Sequence, residues 1–372
     1  MSGIYIHIPF CKQACHYCNF HFSTTHQQIP QLVNAIAKEA FLRKNYINQP
    51  VNTIYFGGGT PSILNPSDIA FLLNQLRENF TINPLAEITL EANPDDITEQ
   101  NLLAWQSIGI NRFSLGIQSF IDTELQWMNR SHNAQQAQNC VNLIKKYFNN
   151  YSIDLIFGSQ LLTNQQWLQN IQTALSFNPP HLSCYALTIE DKTALGKKVA
   201  QKKQPNIDND KQALQFEMLM QQLEIGGYNH YEISNYAQPN FESKHNSSYW
   251  QQKNYLGLGP SAHSYNQISR SWNIANNALY IAGIENNKNV SEVEILTPTQ
   301  QLNEYIMIAL RTAAGIDTET IEKKWGNSIM QEFNKKATVW QQSNHIKFLL
   351  NKIQLTQLGK LFADAIASDL FF

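Results

Sequence analysis

The sequence predicts an α/β chain: a partial (β/α)6 barrel of the TIM type, followed by a smaller, mainly helical domain with winged-helix-like patterning. Three observations lead there. Six short apolar, β-branched or aromatic runs alternate with helical stretches, and strand–helix units in series imply a parallel sheet, doubly wound or barrel-like. Polar or glycine-rich residues punctuate the C-terminal end of nearly every run, the edge at which βα barrels build their sites. Beyond residue 296 the helical period dominates.

The first strand reads over 4–8 (IYIHI). The second, 53–56 (TIYF), closes on Gly57-Gly58-Gly59, and the third, 87–90 (EITL), leads into Glu91-Ala92-Asn93-Pro94. The fourth, 112–117 (RFSLGI), ends at Gln118; the fifth, 153–157 (IDLIF), at Gly158; the sixth, 181–187 (HLSCYAL), at Thr188. Helices are expected over 31–46, 66–80, 98–108, 133–148 and 164–177. Pro66-Ser67-Asp68 and Asp96-Ile97-Thr98-Glu99 are start signals for two of them. A charged loop at 197–203, a strong helix over 209–225 and a strand within 228–234 follow. Residues 244–265 read as loop, rich in aromatics and glycines. Helices then recur over 300–313, 318–325, 328–341 and 356–367, with a short strand before the last. This divides the chain into a core (1–235), a connecting region (236–295) and a C-terminal helical domain (296–372).

The 372 residues suit two domains or three. Lys+Arg is 27 and Asp+Glu 29, a net charge of −2, which leaves no global footprint for nucleic acid or an anionic membrane. No window approaches the ~18 apolar residues of a membrane span. The opening MSGIYIHIPFCK lacks the basic and apolar regions of a signal peptide. Of five cysteines, Cys11, Cys15 and Cys18 crowd together. A secreted disulfide framework is usually even in number and more dispersed, so a cytoplasmic location is expected, with the three thiols as metal ligands. Cys140 and Cys184 read as small buried hydrophobes.

Thiolates at C-x3-C-x2-C spacing select zinc or iron–sulfur. Zinc wants four closed ligands, and His16 or His21 could complete a Cys3His set. Against that, the chain has no second cysteine pair, and the loop falls at a barrel mouth, where an open coordination position is useful. A [4Fe–4S] cluster on three cysteines leaves one iron free for an outside ligand.

At this point the sequence resembles a known family. YIHIPFCKQACHYCNF at 5–20 looks like the opening of radical S-adenosylmethionine (SAM) proteins, and GGGTP at 57–61 looks like their glycine-rich turn. EANP at 91–94, SLGIQSF at 114–120, NRSHN at 129–133 and IDLIFG at 153–158 resemble the branch that includes the oxygen-independent coproporphyrinogen III dehydrogenase. The resemblance implies that Cys11, Cys15 and Cys18 hold the cluster and that its free iron takes the amino and carboxylate groups of SAM. Gly58 would lie against the amino-acid part of SAM, Tyr5 would support the pair, and Glu91 would bind a polar group of SAM. Tyr17, Gly59, Thr60, Gln118, Arg130 and Asp154 match the contacts of a second SAM. The chemistry agrees: glycine admits close backbone approach, carboxylates suit a diol or an ammonium, and arginine suits a carboxylate.

Two features depart from the dehydrogenase. Phe20 stands where that enzyme has a fourth cysteine, and only ten residues precede Cys11. His245-Asn246-Ser247-Ser248-Tyr249-Trp250 reads H-N-x-x-Y-W, which resembles the hallmark of the HemW family of haem chaperones, as does YLGLGPSAHSY at 255–265. His245 is then the expected axial haem ligand, with Tyr249 and Trp250 as flat contacts and His263 as a second haem-side group. The resemblance implies a chaperone that binds haem beside a SAM-liganded cluster. It would pass the haem to an apo-haemoprotein, a membrane respiratory protein among the candidates, and could act as a homodimer. No catalytic residue is assigned, and reductive cleavage of SAM is left open. The rival readings are the dehydrogenase itself and a zinc-bound scaffold.

Overall fold

The computed structural model describes residues 2–372. The strands and helices of the first half alternate as β1 (Ser2–Ile8), α1 (Ile29–Leu42), β2 (Val51–Gly58), α2 (Pro66–Asn79), β3 (Ile82–Ala92), α3 (Glu99–Ile108), β4 (Arg112–Gln118), α4 (Asp122–Trp127), α5 (Ala134–Tyr147), β5 (Tyr151–Phe157), α6 (Asn164–Ser176) and β6 (His181–Ala186). Local chemistry sets the helix starts. Thr98 caps α3, and Asn133 with Gln136, then Thr163 with Gln166, form reciprocal capping boxes for α5 and α6.

β1 to β6 lie side by side in sequence order, each parallel to the last. A doubly wound sheet reverses its order part-way; this one does not, so the barrel reading holds. α1, α2, α3 and α5 pack against one another in turn along the outside. Each strand has two faces. Ile4, Ile6, Ile54, Phe56, Leu90, Phe113, Leu115, Ile153, Leu155 and Leu182 point out into the main core beneath the helices. Tyr5, Tyr55, Glu91, Arg112, Ser114, Asp154 and His181 occupy the alternate positions, which face inward. Cys140 and Cys184 are buried in the outer core, as expected.

The chain continues through α7 (Ala194–Ala200), α8 (Asn209–Ile225), β7 (Asn229–Glu232), β8 (Asn235–Ala237), α9 (Lys244–Trp250), β9 (Asn254–Leu258), β10 (His263–Tyr265), β11 (Ser269–Asn273), α10 (Asn277–Glu285) and β12 (Ser291–Ile295). The loop reading of 244–265 is corrected here. That segment folds as α9 and two strands, and β9 joins β1 in parallel. The pairing is made across some 250 residues of sequence, so no local pattern announces it. β10, β11 and β12 extend the sheet from β9, while β8 and β7 extend it from β6, giving one open 12-stranded sheet.

The last part runs α11 (Pro298–Leu310), β13 (Ile316–Asp317), α12 (Thr318–Trp325), α13 (Asn327–Gln342), β14 (Ile346–Leu349), β15 (Lys352–Leu355), α14 (Gln357–Lys360) and α15 (Ala363–Asp369). β15 pairs with both β13 and β14, giving the helix–strand–helix–helix–hairpin order of a winged helix. The single expected strand is thus a hairpin, and the expected terminal helix is two short ones. A second core, including Leu302, Ile306, Phe333, Ile353 and Ile366, fills this part. Backbone hydrogen bonds from Ile233 to Arg311 (3.0 Å) and from Ala313 to Tyr231 (2.9 Å) tie it to the barrel.

Candidate functional site

The cysteine loop leaves β1 and lies across the C-terminal ends of the strands. Lys12 binds Asp95 (2.8 Å) and Asp96 just after β3. The His16 N–H donates to Met128 O (3.1 Å), Asn129 Nδ2 donates to Ala14 O (2.7 Å), and the Leu195 N–H donates to His16 O (2.8 Å). The loop is therefore pinned to the exits of β3, β4 and β6. Cys11, Cys15 and Cys18 are unpaired and half-buried. Arg130 Nη1 stands 3.3 Å from Cys15 Sγ, a cation placed to favour thiolates. Burial pushes the Cys11 thiol up to about 11 and raises Cys18 as well. His16 Nδ1 is held by Trp127 O (2.7 Å) and His21 Nε2 by Asn277 Oδ1 (2.8 Å), which leaves each ring its other nitrogen. Among the described residues no group of three or more His, Cys, Asp or Glu side chains is gathered for a single metal ion. A [4Fe–4S] cube spreads three thiolates over three irons and suits a more open set.

Beside the loop, the glycine turn comes close to it. Gly58 has φ +112°, and a Cβ there would sit 2.6 Å from the His7 ring. The Thr60 N–H donates to Phe10 O (2.7 Å), and a Cβ on Gly59 would stand 2.7 Å from that same oxygen. His7 is itself fixed: Nε2–H donates to His21 O (2.9 Å), and Nδ1 accepts from the Tyr5 hydroxyl (3.1 Å). Burial lowers His7 to about 4, so it is neutral.

Glu91, at the end of β3, accepts from the Tyr55 hydroxyl (2.8 Å) and the Gly58 N–H (3.2 Å). Burial pushes its carboxyl up to about 7, with nearby Asp154 acting in the same direction. Asp154, on β5, accepts from Ser114 (2.9 Å) and Ser152 (3.2 Å); burial raises its pKa against these bonds. Gln118 ends β4 with φ +66°, a left-handed backbone where β4 slips register against β5. Arg130 Nη2 bridges Asn93 Oδ1 and Gly116 O (both 2.7 Å), and its Nε has no partner among the described residues. Tyr17 lies against Arg130 and Cys15 and packs on the small cluster of Met128, Ile156, Leu187 and Leu195. The cysteines and Tyr5, Tyr17, Gly58, Gly59, Thr60, Glu91, Gln118, Arg130 and Asp154 thus share one mouth and the lumen below it.

His245, Tyr249 and Trp250 lie elsewhere. α9 packs inside the barrel near the starts of β1, β2 and β3, where the His245 N–H donates to Glu87 (3.0 Å). The His245 imidazole is 1% exposed and stacks on Tyr55 (4.9 Å between centroids). Its Nδ1 bonds Thr53 Oγ1 (2.8 Å) and its Nε2 bonds Tyr249 Oη (2.7 Å). Neither nitrogen is presented to a haem in this conformation, and burial lowers its pKa to about 3. Trp250 has a buried indole N–H without a partner among the described residues. His263, by contrast, is exposed on β10.

Sequence reasoning missed the polar lining: Tyr55, Arg112, Ser114, Ser152, His181 and Ser183. The buried Arg112 has Nε and Nη1 unpartnered among the described residues, and its charge acts on Glu91, Asp154, His181 and His245. The signal was there as period-2 alternation in RFSLGIQ and SIDLIF.

Comparison with known proteins settles the family. The Radical SAM superfamily matches residues 5–174, and the HemN C-terminal domain matches residues 296–362. The heme chaperone HemW of Bacillus subtilis is 31% identical, covering 98% of this chain and 98% of the relative. That of Haemophilus influenzae is 33% identical over 98% and 96%. The chain belongs to the HemW family. HemW of Lactococcus lactis is also similar, 32% identical over 91% of this chain and 88% of the relative. The solved coproporphyrinogen III oxidase (HemN) of Escherichia coli superposes over 100% of this chain and 90% of its own, with a TM-score of 0.86. At 23% identity that likeness shows the fold alone.

The radical SAM domain of a HemW chain implies a [4Fe–4S] cluster and SAM, and the residues present fit both. Three free thiols on a pinned loop beside Arg130 suit the cluster; a tight glycine turn over buried carboxylates suits SAM. When bound, the cluster supplies an open iron site and an electron. Glu91 and Asp154 are buried carboxyls below the turn, and Tyr5 and His7 lie against Gly57 and Gly58. No helix among the described residues is long and apolar enough to cross a membrane.

Proposed function

We propose that this chain is a haem chaperone: it binds haem next to a SAM-liganded [4Fe–4S] cluster and delivers it to an apo-haemoprotein, at a membrane where the acceptor is a respiratory protein. The observation that carries this reading is the end-to-end likeness to heme chaperones from distant bacteria. Phe20 supports it: the side chain is 70% exposed on the rim of the cluster loop, an apolar group where the dehydrogenase has a cysteine. In this reading Cys11, Cys15 and Cys18 hold the cluster. Tyr5, Gly58 and Glu91 receive one SAM, and Tyr17, Gly59, Thr60, Gln118, Arg130 and Asp154 stand ready for a second. Residues 1–235 carry the cluster and SAM, 236–295 the haem contacts and 296–372 the helical appendage. His245, Tyr249 and Trp250 are the haem contacts of this reading, reached when His245 leaves its bonds to Thr53 and Tyr249. Tyr249 meets Tyr255 edge-on (4.6 Å), and Tyr255 stacks on Tyr265 (6.1 Å), carrying the order of α9 into β9 and β10.

The test is haem titration of the anaerobically reconstituted chain, followed by a coproporphyrinogen III turnover assay on the same sample. Stoichiometric haem binding, transfer to an apo-haemoprotein and no decarboxylated product are expected. Product without haem binding would return the chain to the dehydrogenase reading.

A further inference from the structure

We propose that the cleft between the barrel and the C-terminal domain binds the phosphate group of a small molecule, on Lys347, Lys360 and Arg311. None of these residues belongs to the cluster or SAM set, and the site stands independently of the haem-chaperone reading.

Three observations carry it. First, the cleft is a formed cavity with two lobes. The larger, about 370 Å³, is lined by Met220 and Glu224 of α8, Tyr236 of β8 and Gln357 of α14. The smaller, about 160 Å³, is lined by Arg311 just after α11, Lys347 of β14 and Gln354 of β15. His230 of β7 and Lys360 of α14 line both, so the lobes meet at that pair. The larger lobe has the size that holds a small organic molecule, and the smaller one leaves room for a tetrahedral oxyanion.

Second, the cations there lack an anion. Lys360 Nζ donates to His230 Nδ1 (2.7 Å) and has no carboxylate within ion-pair reach among the described residues. His230 spends Nε2 on Ile233 O (3.1 Å), and burial together with the Lys360 charge lowers it to about 3, so it is a neutral acceptor. Burial pushes the Lys360 ammonium down to about 8 against the pull of Glu224, with the Lys347 charge adding to the fall, so it stays charged at neutral pH. A half-buried ammonium that meets only an imidazole has N–H groups to spare, and withdrawing such a charge from water is costly unless an anion joins it. Lys347 is exposed and likewise has no carboxylate partner among the described residues. Arg311 Nη1 holds Asp364, whose side chain is exposed. Glu232, the one carboxylate lining the smaller lobe, is buried and accepts from the Ser234 N–H (3.1 Å) and from Asn235 Nδ2. Three cations from three elements thus line a lobe whose own carboxylate is engaged. A phosphate takes charged donors from several directions at once, and its double charge suits three of them better than a single carboxylate would.

Third, the larger lobe offers a seat for the rest of the ligand. His230 and Tyr236 stack there, their centroids 4.1 Å apart and their rings inclined by 19°. Tyr236 is 1% exposed, and its buried hydroxyl has no partner among the described residues. Buried hydroxyls are ordinarily hydrogen-bonded, so this one is unmet until something polar enters the lobe. A ligand spanning both lobes would touch the barrel and the C-terminal domain together, adding to the backbone hydrogen bonds at Ile233 and Ala313 that already join them.

The experiment titrates the cluster-reconstituted, SAM-saturated full chain by calorimetry with inorganic phosphate and with phenyl phosphate. Saturable binding at one site is expected. Tighter binding of phenyl phosphate would make an ester the source of the group, and equal or weaker binding would make it inorganic phosphate; both support the site. Lys360→Met is expected to lose about tenfold or more in phosphate affinity. Lys347→Met, on an exposed side chain that folding does not need, should lose less and carries the test if Lys360→Met fails to fold. Melting separates ligand binding from a structural tie. Without phosphate, Lys360→Met should melt no lower than wild type, because an apolar stem replaces a lone charge. With phosphate, the wild-type Tm should rise and that of the variant should not. Binding of neither probe would overturn the proposal, as would unchanged affinity in both lysine variants. A lower Tm in Lys360→Met, with no response of wild type to phosphate, would also overturn it and leave Lys360 as a tie between the two domains.

Discussion

Glu91→Gln tests the charge logic of the lumen. The Glu91 carboxyl is buried, and its pKa rises from 4.5 to about 7. Between those values the folded chain holds a proton that the unfolded chain has released. Folded stability therefore falls as pH rises from about 4.5 through about 7, and the loss is complete above that. At about 1.4 kcal/mol per pKa unit the rise is worth about 3 kcal/mol. Glutamine cannot ionise. Its amide oxygen can accept from Gly58 and its NH2 can donate to the Tyr55 oxygen, so both hydrogen bonds survive. Without SAM, Glu91→Gln is expected to match wild type at about pH 5 and to exceed it at about pH 8 by up to about 3 kcal/mol. For a domain this large that is a rise of about 5 °C or more in Tm. SAM should reverse the order. An ionised Glu91 binds an ammonium or a diol strongly, so the variant should lose about tenfold or more in SAM affinity by calorimetry. A variant no more stable than wild type at about pH 8 would refute the buried-charge account. Unchanged SAM affinity would remove Glu91 from the SAM site.

Other outcomes follow from the same geometry. Gly58→Ala combines a left-handed backbone with a Cβ 2.6 Å from His7, whereas Gly227→Ala meets only the backbone cost, at φ +79° with nothing within 4 Å. Gly227→Ala should cost about 1–2 kcal/mol and Gly58→Ala clearly more, read as urea midpoints. Serine at Cys11, Cys15 or Cys18 should abolish the iron and acid-labile sulfide content of reconstituted protein; retained zinc with no iron in wild type would favour the scaffold reading. His245→Ala removes two buried hydrogen bonds and leaves a cavity against Tyr55, so it should cost about 3 kcal/mol or more, seen as a lowered Tm. Lys12→Ala unlatches the cysteine loop from Asp95 and Asp96 and should hasten loss of cluster absorbance in air with little change in global stability.

Much of the barrel was legible because its signals are local. Capping residues stand three positions from their partners, and a strand declares itself over a handful of residues, so Thr98 and runs such as IYIHI mark their elements to within a few positions. The cluster loop was legible for the same reason: three thiols within eight residues act as one group whatever surrounds them. The polar lumen was written in the strands as alternation, yet RFSLGIQ does not say whether Arg112 meets water or the inside of a barrel. Residues 244–265 were misread because their partners are remote. α9 forms on a Ser243 cap but is held by Glu87 and Thr53, and β9 exists as a strand because β1 lies beside it.

By itself, then, the sequence determined the order of strands and helices, the three-thiol ligand set and the resemblance to a HemW chain, all carried by short-range pattern. Tertiary structure alone decided how each histidine is held. His245 and His263 stand 18 residues apart, each among aromatics, and nothing local separates them. Burial against β1 and β2 gives both nitrogens of His245 to Thr53 and Tyr249, while the outer position of β10 leaves His263 open. A side chain's chemistry is set by what competes for its lone pairs, and those competitors arrive from distant parts of the chain.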